Sequence, residues 1–317
     1  MGANDSKPDR RIVLFGKTGD GKSSTGNTIL RLQFFQTKSS PTSVTGDCVS
    51  GYGIVNGRKI TIIDTPGIFD TVVDDEAIRS EITKSITEIV PSPDMFIMTL
   101  KVGRYTEQEI KVVDKMLSYI KQCEENILKH IAILFTHGED LEGQTIEEFV
   151  KKSPKLQELV DKCGGHCYVI DNKHWKRRWW GYRSNRVQVN KLLDTIDQIE
   201  QENGGYSNEL LQIVEEEIQE EMIKIENENL SLEERHERAK KTVYKKLLFK
   251  LAGVSIGTLI GAFLGISVAV AAVVILLKDK NIITVAKDAY WFMYRCRCCF
   301  WICSSCRSCW RRNHWME

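Results

Sequence analysis

The chain has 317 residues, with 44 Lys plus Arg against 43 Asp plus Glu and a formal net charge of +1. That length accommodates one mid-sized domain and a smaller module, and the balanced charge provides no global field toward a polyanion, so nucleic acid is not expected as a partner. Of the 10 cysteines, those before residue 295 show no paired spacing, which excludes a disulfide scaffold there and predicts reduced thiols.

In chain order, residues 1–10 form an N-terminal tail. Its start, Met1-Gly2-Ala3-Asn4-Asp5-Ser6, satisfies the short N-myristoylation pattern. A single acyl chain holds a membrane only marginally, so it would orient the following domain rather than anchor it. No secretory signal is expected at this end. The apolar run Ile12-Val13-Leu14-Phe15 predicts a buried strand, and Lys22 to Leu30 predicts the next helix. Between them lies Gly16-Lys17-Thr18-Gly19-Asp20-Gly21-Lys22-Ser23, followed by Ser24. This is a complete phosphate-binding loop: glycines let the backbone turn its N–H groups inward, and the helix N-terminus adds a positive dipole end. Lys22 is expected on the β- and γ-phosphates, and the Ser23 hydroxyl on Mg²⁺.

A Ser/Thr-rich loop, Thr37 to Thr45, follows. Thr45 is the candidate to complete the Mg²⁺ shell, with Thr42 as the alternative and Thr37 as a further nucleotide contact. Lys59 to Ile63 reads as a strand that ends in Asp64-Thr65-Pro66-Gly67. Asp64 is expected to hold the metal through water, and the Gly67 N–H to sense the γ-phosphate. Helices are predicted over Glu76–Val90, stopped by Pro91, and over Thr106–Ser118, opened by the capping box Thr106-Glu107-Gln108-Glu109. The strand Ile131–Phe135 ends in Thr136-His137-Gly138-Glu139-Asp140. Glu139 is the candidate carboxylate for guanine N1–H and N2–H₂, Asp140 the alternative, and the His137 ring is placed over the base. A later strand, Tyr168-Val169-Ile170, ends in Asp171-Asn172-Lys173, where Asn172 is a candidate for guanine O6. Val187–Gln201 closes the domain before Gly204-Gly205. Strand and helix signals alternate over 11–204, which predicts a doubly wound, mostly parallel α/β sheet.

Together, G-K-T-G-D-G-K-S-S, S-V-T, D-T-P-G-I-F-D, V-G-R-Y-T-E-Q-E, F-T-H-G-E-D-L and D-N-K resemble the GIMAP family, the GTPases of immunity-associated proteins, over about residues 10–205. The resemblance implies a Ras-like P-loop GTPase fold, binding of GTP and GDP with Mg²⁺, and GTP-dependent pairing with itself or related GTPases at membranes. Ile68 stands where Ras-like proteins carry a glutamine, so hydrolysis by an isolated molecule is expected to be slow. Arg104, in Val102-Gly103-Arg104-Tyr105-Thr106, is the candidate arginine finger offered to a neighbouring protomer. A finger in trans is worth ~10³–10⁵ in rate. The catalytic set expected is thus Lys22, Thr45, Gly67 and Arg104.

Residues 205–250 read as a charged helical extension with a narrow apolar stripe, Leu210, Leu211, Val214, Ile218, Met222 and Ile225. A helix packed on the main domain and a coiled-coil surface both fit that stripe. In the family a comparable helix folds back near the switch regions. Residues 251–277 carry no charge and are long enough for a transmembrane helix. Lysines 240, 241, 245, 246 and 250 before it outnumber those just after it, which predicts a cytosolic N-terminal side. Gly253, Gly257, Gly261 and Gly265, four apart, predict one smooth face for helix self-association. The tail, residues 278–317, holds Cys296, Cys298, Cys299, Cys303, Cys306 and Cys309 among aromatics and arginines. S-palmitoylation at a membrane interface and a zinc site are the two readings of these cysteines. The expected whole is a membrane-anchored GTP-binding protein with its G domain in the cytosol, with a hydrolysis-incompetent membrane scaffold as the alternative.

Overall fold

The computed structural model describes residues 7–37, 48–65, 67, 75–104, 106–123, 128–175, 180–206, 208–226 and 230–278. Gly2, Thr42, Thr45, Ile68 and the six tail cysteines lie outside the described residues.

Six strands, β1 (Arg10–Gly16), β2 (Val49–Val55), β3 (Arg58–Asp64), β4 (Met95–Lys101), β5 (Ile131–Thr136) and β6 (Cys167–Val169), form one sheet in the order β2-β3-β1-β4-β5-β6. All neighbours are parallel except β2 and β3. The central strands are apolar throughout because helices cover both faces; Ile12, Val13, Leu14 and Phe15 are fully buried. Register matters for function. Leu14 of β1 lies opposite Asp64, Gly16 opposite Thr99, and Lys101 of β4 opposite Thr136. The carboxyl ends of four strands therefore meet at one edge, where ligands of open α/β sheets bind.

Helices α1 (Lys22–Leu30), α2 (Asp75–Glu88), α3 (Glu107–Ile120), α4 (Ile146–Lys151), α5 (Pro154–Lys162) and α6 (Asn185–Asn203) surround the sheet. The helices expected after residues 22, 76, 106 and 187 are all present within two residues at each end. Thr106 and Glu109 close the expected capping box on α3. At the far end of the sheet, Asp197 of α6 accepts from both Arg58 guanidinium nitrogens, at 2.5 and 2.6 Å, and from Arg10 at 3.0 Å. This charge cluster pins α6 to β1 and β3.

The C-terminal region departs from expectation. The extension is two helices, α7 (Glu209–Lys224) and α8 (Leu232–Lys250), and α8 opens on a Ser231/Glu234 capping box. They run antiparallel, as ion pairs from Glu217 to Lys250 (3.2 Å) and from Glu221 to Lys246 (2.7 Å) record. The apolar stripe is used within the chain: Leu210, Leu211, Val214 and Ile218 are buried in the main core, as are Val243 and Leu247 of α8. Folding back is thus the observed arrangement, and it lands on α2. Lys240 pairs with Glu88 at 3.0 Å, and the Ser80 and Tyr244 hydroxyls are 2.8 Å apart.

The transmembrane helix expected over 251–277 is not continuous. The segment forms α9 (Ile256–Phe263) and α10 (Ser267–Lys278), bent by 106°. No single helix among the described residues is long and apolar enough to cross a membrane, although this bent pair reaches that length and composition jointly. The cause of the bend is local. Gly265 takes φ 82°, its N–H bonds the Ala262 carbonyl, and the Ile266 N–H bonds the Gly261 carbonyl at 2.8 Å. That pair of bonds ends a helix at a left-handed glycine. Upstream, Ser255 caps the first turn of α9 through the Thr258 N–H. The four-glycine face is corrected with it, since only Gly257 and Gly261 lie in α9. Leu259, Ile260 and Phe263 are buried in the same core as the sheet, and Phe263 meets Phe96 edge to face. Arg79 of α2 donates to the Val254 carbonyl at 3.1 Å.

If the C-terminal helices are part of the fold, truncating their core residues unfolds the whole domain. Leu247→Ala is expected to cost about 2–5 kcal/mol, read as one cooperative shift of the urea midpoint. A normal midpoint would mean that α8 docks without contributing to the fold.

Candidate nucleotide-binding site

The loop between β1 and α1 has the shape its glycines allow. Gly16, Gly19 and Gly21 all take positive φ, and Gly21 caps α1 at φ 85°. A side chain at Gly16 would also collide with Thr99, whose hydroxyl and carbonyl lie 2.6–2.7 Å from where its Cβ would sit. The Lys22 ammonium lies across the loop, donating to the Gly16 carbonyl at 3.1 Å and to the Lys17 carbonyl at 3.0 Å. Thr136 at the end of β5 donates to the Asp20 carbonyl at 3.0 Å and so holds the loop from the other side.

Ser23 donates to Asp64 Oδ2 at 2.6 Å, which joins the first residues of α1 to the tip of β3. Asp64 is fully buried, and its Oδ1 has no hydrogen-bond partner among the described residues. Burial raises the pKa of this carboxyl; the Ser23 hydroxyl and the Lys22 charge oppose that rise. An orphaned buried carboxylate oxygen next to a serine hydroxyl is a hard-oxygen donor set that suits Mg²⁺ and its waters. The residues present therefore fit the ion expected from the sequence. Gly67 is buried one turn further on.

On the other side of the loop, His137 opens the turn Gly138–Leu141 in the left-handed region, and its Nδ1 lies 2.9 Å from the Thr136 hydroxyl. Burial lowers the His137 pKa, which favours the neutral ring. Glu139 sits behind it. Its backbone N–H bonds Asp171, and its carboxylate accepts from the Trp175 indole N–H at 2.7 Å and faces Arg183 at 3.6 Å. Asp140 instead lines a cleft of about 200 Å³ with Lys17, Asp20, Lys101 and Arg104. Arg104 is exposed there, beside the phosphate loop. Asn172 accepts from the Thr28 hydroxyl at 2.6 Å, and its amide lies near Gly21. With Ser24, Thr37 and the start of α6 it borders a larger cleft of about 470 Å³.

The structure thus places Gly16 to Ser24, Asp64, His137 and Asn172 along one edge; there Asp140 shares a cleft with Lys17 and Asp20, while the Glu139 carboxylate turns toward Trp175 and Arg183. Trp175, Arg183 and Asp171 were not among the residues the sequence singled out as site residues. The available signal was a tryptophan close after the D-N-K turn: a buried indole N–H must find an acceptor.

A family model described as the AIG1 family matches residues 10–229. Immune-associated nucleotide-binding protein 13 of Arabidopsis thaliana is 30% identical over 207 residues, covering 64% of this chain and 60% of that relative. Immune-associated nucleotide-binding protein 9 of the same plant is 31% identical over 238 residues, covering 73% and 66% respectively. Mouse GTPase IMAP family member 8 is 28% identical over 195 residues, 61% of this chain and 27% of that protein. The chain therefore spans about three-fifths to two-thirds of these two plant relatives and about a quarter of the mouse one. Among solved structures, Arabidopsis Toc33 in complex with GDP and Mg²⁺ is 17% identical with a TM-score of 0.46, covering 62% of this chain and 86% of that one. Because the family model spans more than half of its residues, the chain belongs to the AIG1 family.

Proposed function

We propose that the chain is a membrane-associated GTP-binding protein whose G domains pair on GTP and thereby stimulate a slow hydrolysis to GDP. The observation that carries the nucleotide half is the joint made by Ser23, Asp64 Oδ2 and the unpartnered Asp64 Oδ1 beneath the Lys22 ammonium. Nucleotide-binding relatives bear the same family features.

The residues divide the work as follows. The loop amides and Lys22 face the β- and γ-phosphates, and Lys22 is already held in place by two carbonyls, so little reorganisation accompanies charge build-up. Ser23, and Asp64 through water, would hold Mg²⁺, which would supply neutralisation of phosphate charge. The Gly67 N–H reports on the γ-phosphate. Glu139 accepts from guanine N1–H and N2–H₂, with His137 and Asn172 shaping the base pocket. The Ile68 side chain has no polar atom to orient water, so a lone molecule turns over slowly. Arg104, exposed beside Lys17, is supplied to the partner's phosphates when two G domains face each other.

The membrane half rests on the C-terminal helices. α10 presents Val268 and Ile275, 82% and 68% exposed, on one face together with Ala271 and Ala272. The aromatic and arginine-rich stretch that follows suits a lipid interface. The G domain lies on the cytosolic side, where GTP is available.

Three measurements test this. Asp64→Asn keeps the shape but removes the charge. The parent pKa is raised by burial, so ionised Asp64 costs stability at neutral pH. The nucleotide-free variant is therefore expected to melt no lower than the parent, while its GTP affinity in Mg²⁺ falls tenfold or more by calorimetry. Affinity that stays at the parent level would remove Asp64 from the metal site. GTP turnover per molecule of the full chain is expected to climb with protein concentration, and Arg104→Ala to flatten that rise at near-normal GTP affinity. A flat, near-zero rate in the parent, with tight binding, would support the scaffold reading instead. Finally, the full chain is expected to float with phosphatidylserine-containing vesicles and to resist carbonate extraction, and Ile275→Glu to weaken flotation; release by carbonate would refute integral insertion.

A further inference from the structure

We propose that Trp175 is a positioning residue for base recognition: its buried indole N–H fixes the Glu139 carboxylate in the orientation that reads guanine, and so sets selectivity for guanine over other purines. This rests on the reading of Glu139 as the base-contacting carboxylate.

Trp175 is 1% exposed and donates to Glu139 Oε2 at 2.7 Å. Indole is a donor only, so this bond cannot reverse, and a charged acceptor strengthens it. The ring also packs closely against the turn that carries Glu139. A Cβ at Gly138 would fall 2.6–3.0 Å from three of its ring atoms. Glycine at 138 is thus the space that lets the tryptophan reach across.

Both partners hang on one carboxylate. Asp171 accepts the Glu139 N–H through Oδ2 at 3.1 Å, and the Lys173 and His174 N–H groups through Oδ1 at 2.8 and 2.6 Å. Asp171 is itself fixed by Asn185, which bonds its N–H and its carbonyl at 3.0 and 2.8 Å. The backbones of Glu139 and Trp175 are therefore held in one frame, and the indole bond ties the Glu139 side chain to it. Arg183 approaches the other oxygen, Oε1, only at ion-pair distance and from a part-exposed position, where such pairs contribute little. A carboxylate has about four lone-pair sites. The indole bond gives the Glu139 carboxylate one preferred plane, with Oε1 turned toward Arg183. A glutamate free to rotate would lose side-chain entropy on each binding event, and would accept from other bases in other rotamers.

The test uses the full chain and calorimetric titration with GTP, ITP (which lacks the 2-amino group), XTP and ATP in Mg²⁺. Glu139→Gln tests the underlying base contact: GTP affinity is expected to fall and the XTP-to-GTP ratio to rise. Parent-like GTP affinity in that variant would overturn the base-contact reading itself. Trp175→Phe tests the positioning role. It is expected to lower GTP affinity about tenfold, to bring the GTP-to-ITP ratio toward one, and to add nothing on top of Glu139→Gln in the double variant. If Glu139→Gln behaves as expected but Trp175→Phe keeps the parent GTP-to-ITP ratio, the positioning role is overturned and the base contact stands. If Trp175→Phe does not fold, the indole N–H resonances of the ¹⁵N-Trp-labelled parent decide. One resonance is expected to shift in Glu139→Gln, and the same one to move on adding GTP and not ATP. No such shared resonance would refute the proposal.

Discussion

The 2.6 Å bond from Ser23 to Asp64 is the joint on which the site depends. It ties the first turn of α1 to the tip of β3, two elements that the β1–β3 register already brings together. Its geometry leaves one oxygen of Asp64 buried and unpartnered. That is costly in an apolar sheet edge: the Lys22 charge offsets part of the cost, but no side chain among the described residues hydrogen-bonds that oxygen. The same cost makes the edge receptive to a hydrated cation, and through the cation to a polyphosphate. Lys22, held across the loop by two carbonyls, keeps the remaining positive charge where the phosphates arrive. Readiness for the ion and local instability are one feature here.

A second coupling runs along α2. This helix follows directly on the segment that carries Gly67, and it supports α8 through Glu88 and Ser80 and the chain entering α9 through Arg79. The nucleotide edge and the apolar C-terminal helices thus share one structural neighbour. Residues that a membrane would claim in an inserted state, such as Leu259, Ile260 and Val273, are claimed here by the protein core. Val268 and Ile275, on the outer face of α10, remain turned outward.

The sequence made the phosphate loop, the Asp64 strand tip, α3 and the strand carrying Glu139 legible. Each of these is fixed by short-range chemistry: glycines at obligatory turns, a carboxylate at a strand end, a Thr-to-Glu capping box. The docking of the extension on the G domain was one of two readings left open, and its division into α7 and α8 was not foreseen. Other parts were hidden because their determinants are tertiary. β2 alternates small and exposed residues, and its inward Gly51 and Gly53 give no apolar signal. In the C-terminal run, glycines every fourth residue describe a smooth helix face and a helix stop equally well. The Gly265 turn is chosen because α9 and α10 then bury their apolar sides against α2 and α7. Trp175 escaped notice because its role is set by Glu139, which is near only after β5 and β6 pair.

The packing of Phe263 against Phe96 joins a late helix to a central strand. It has a consequence for the order of synthesis. A ribosome delivers β1 to β6 well before α8 to α10, so the apolar side of α2 and the lower part of the sheet emerge without their cover. The core around Phe96 is covered only once α8 to α10 have arrived. Until then the nascent chain presents the kind of apolar surface that chaperones bind and that aggregates form from.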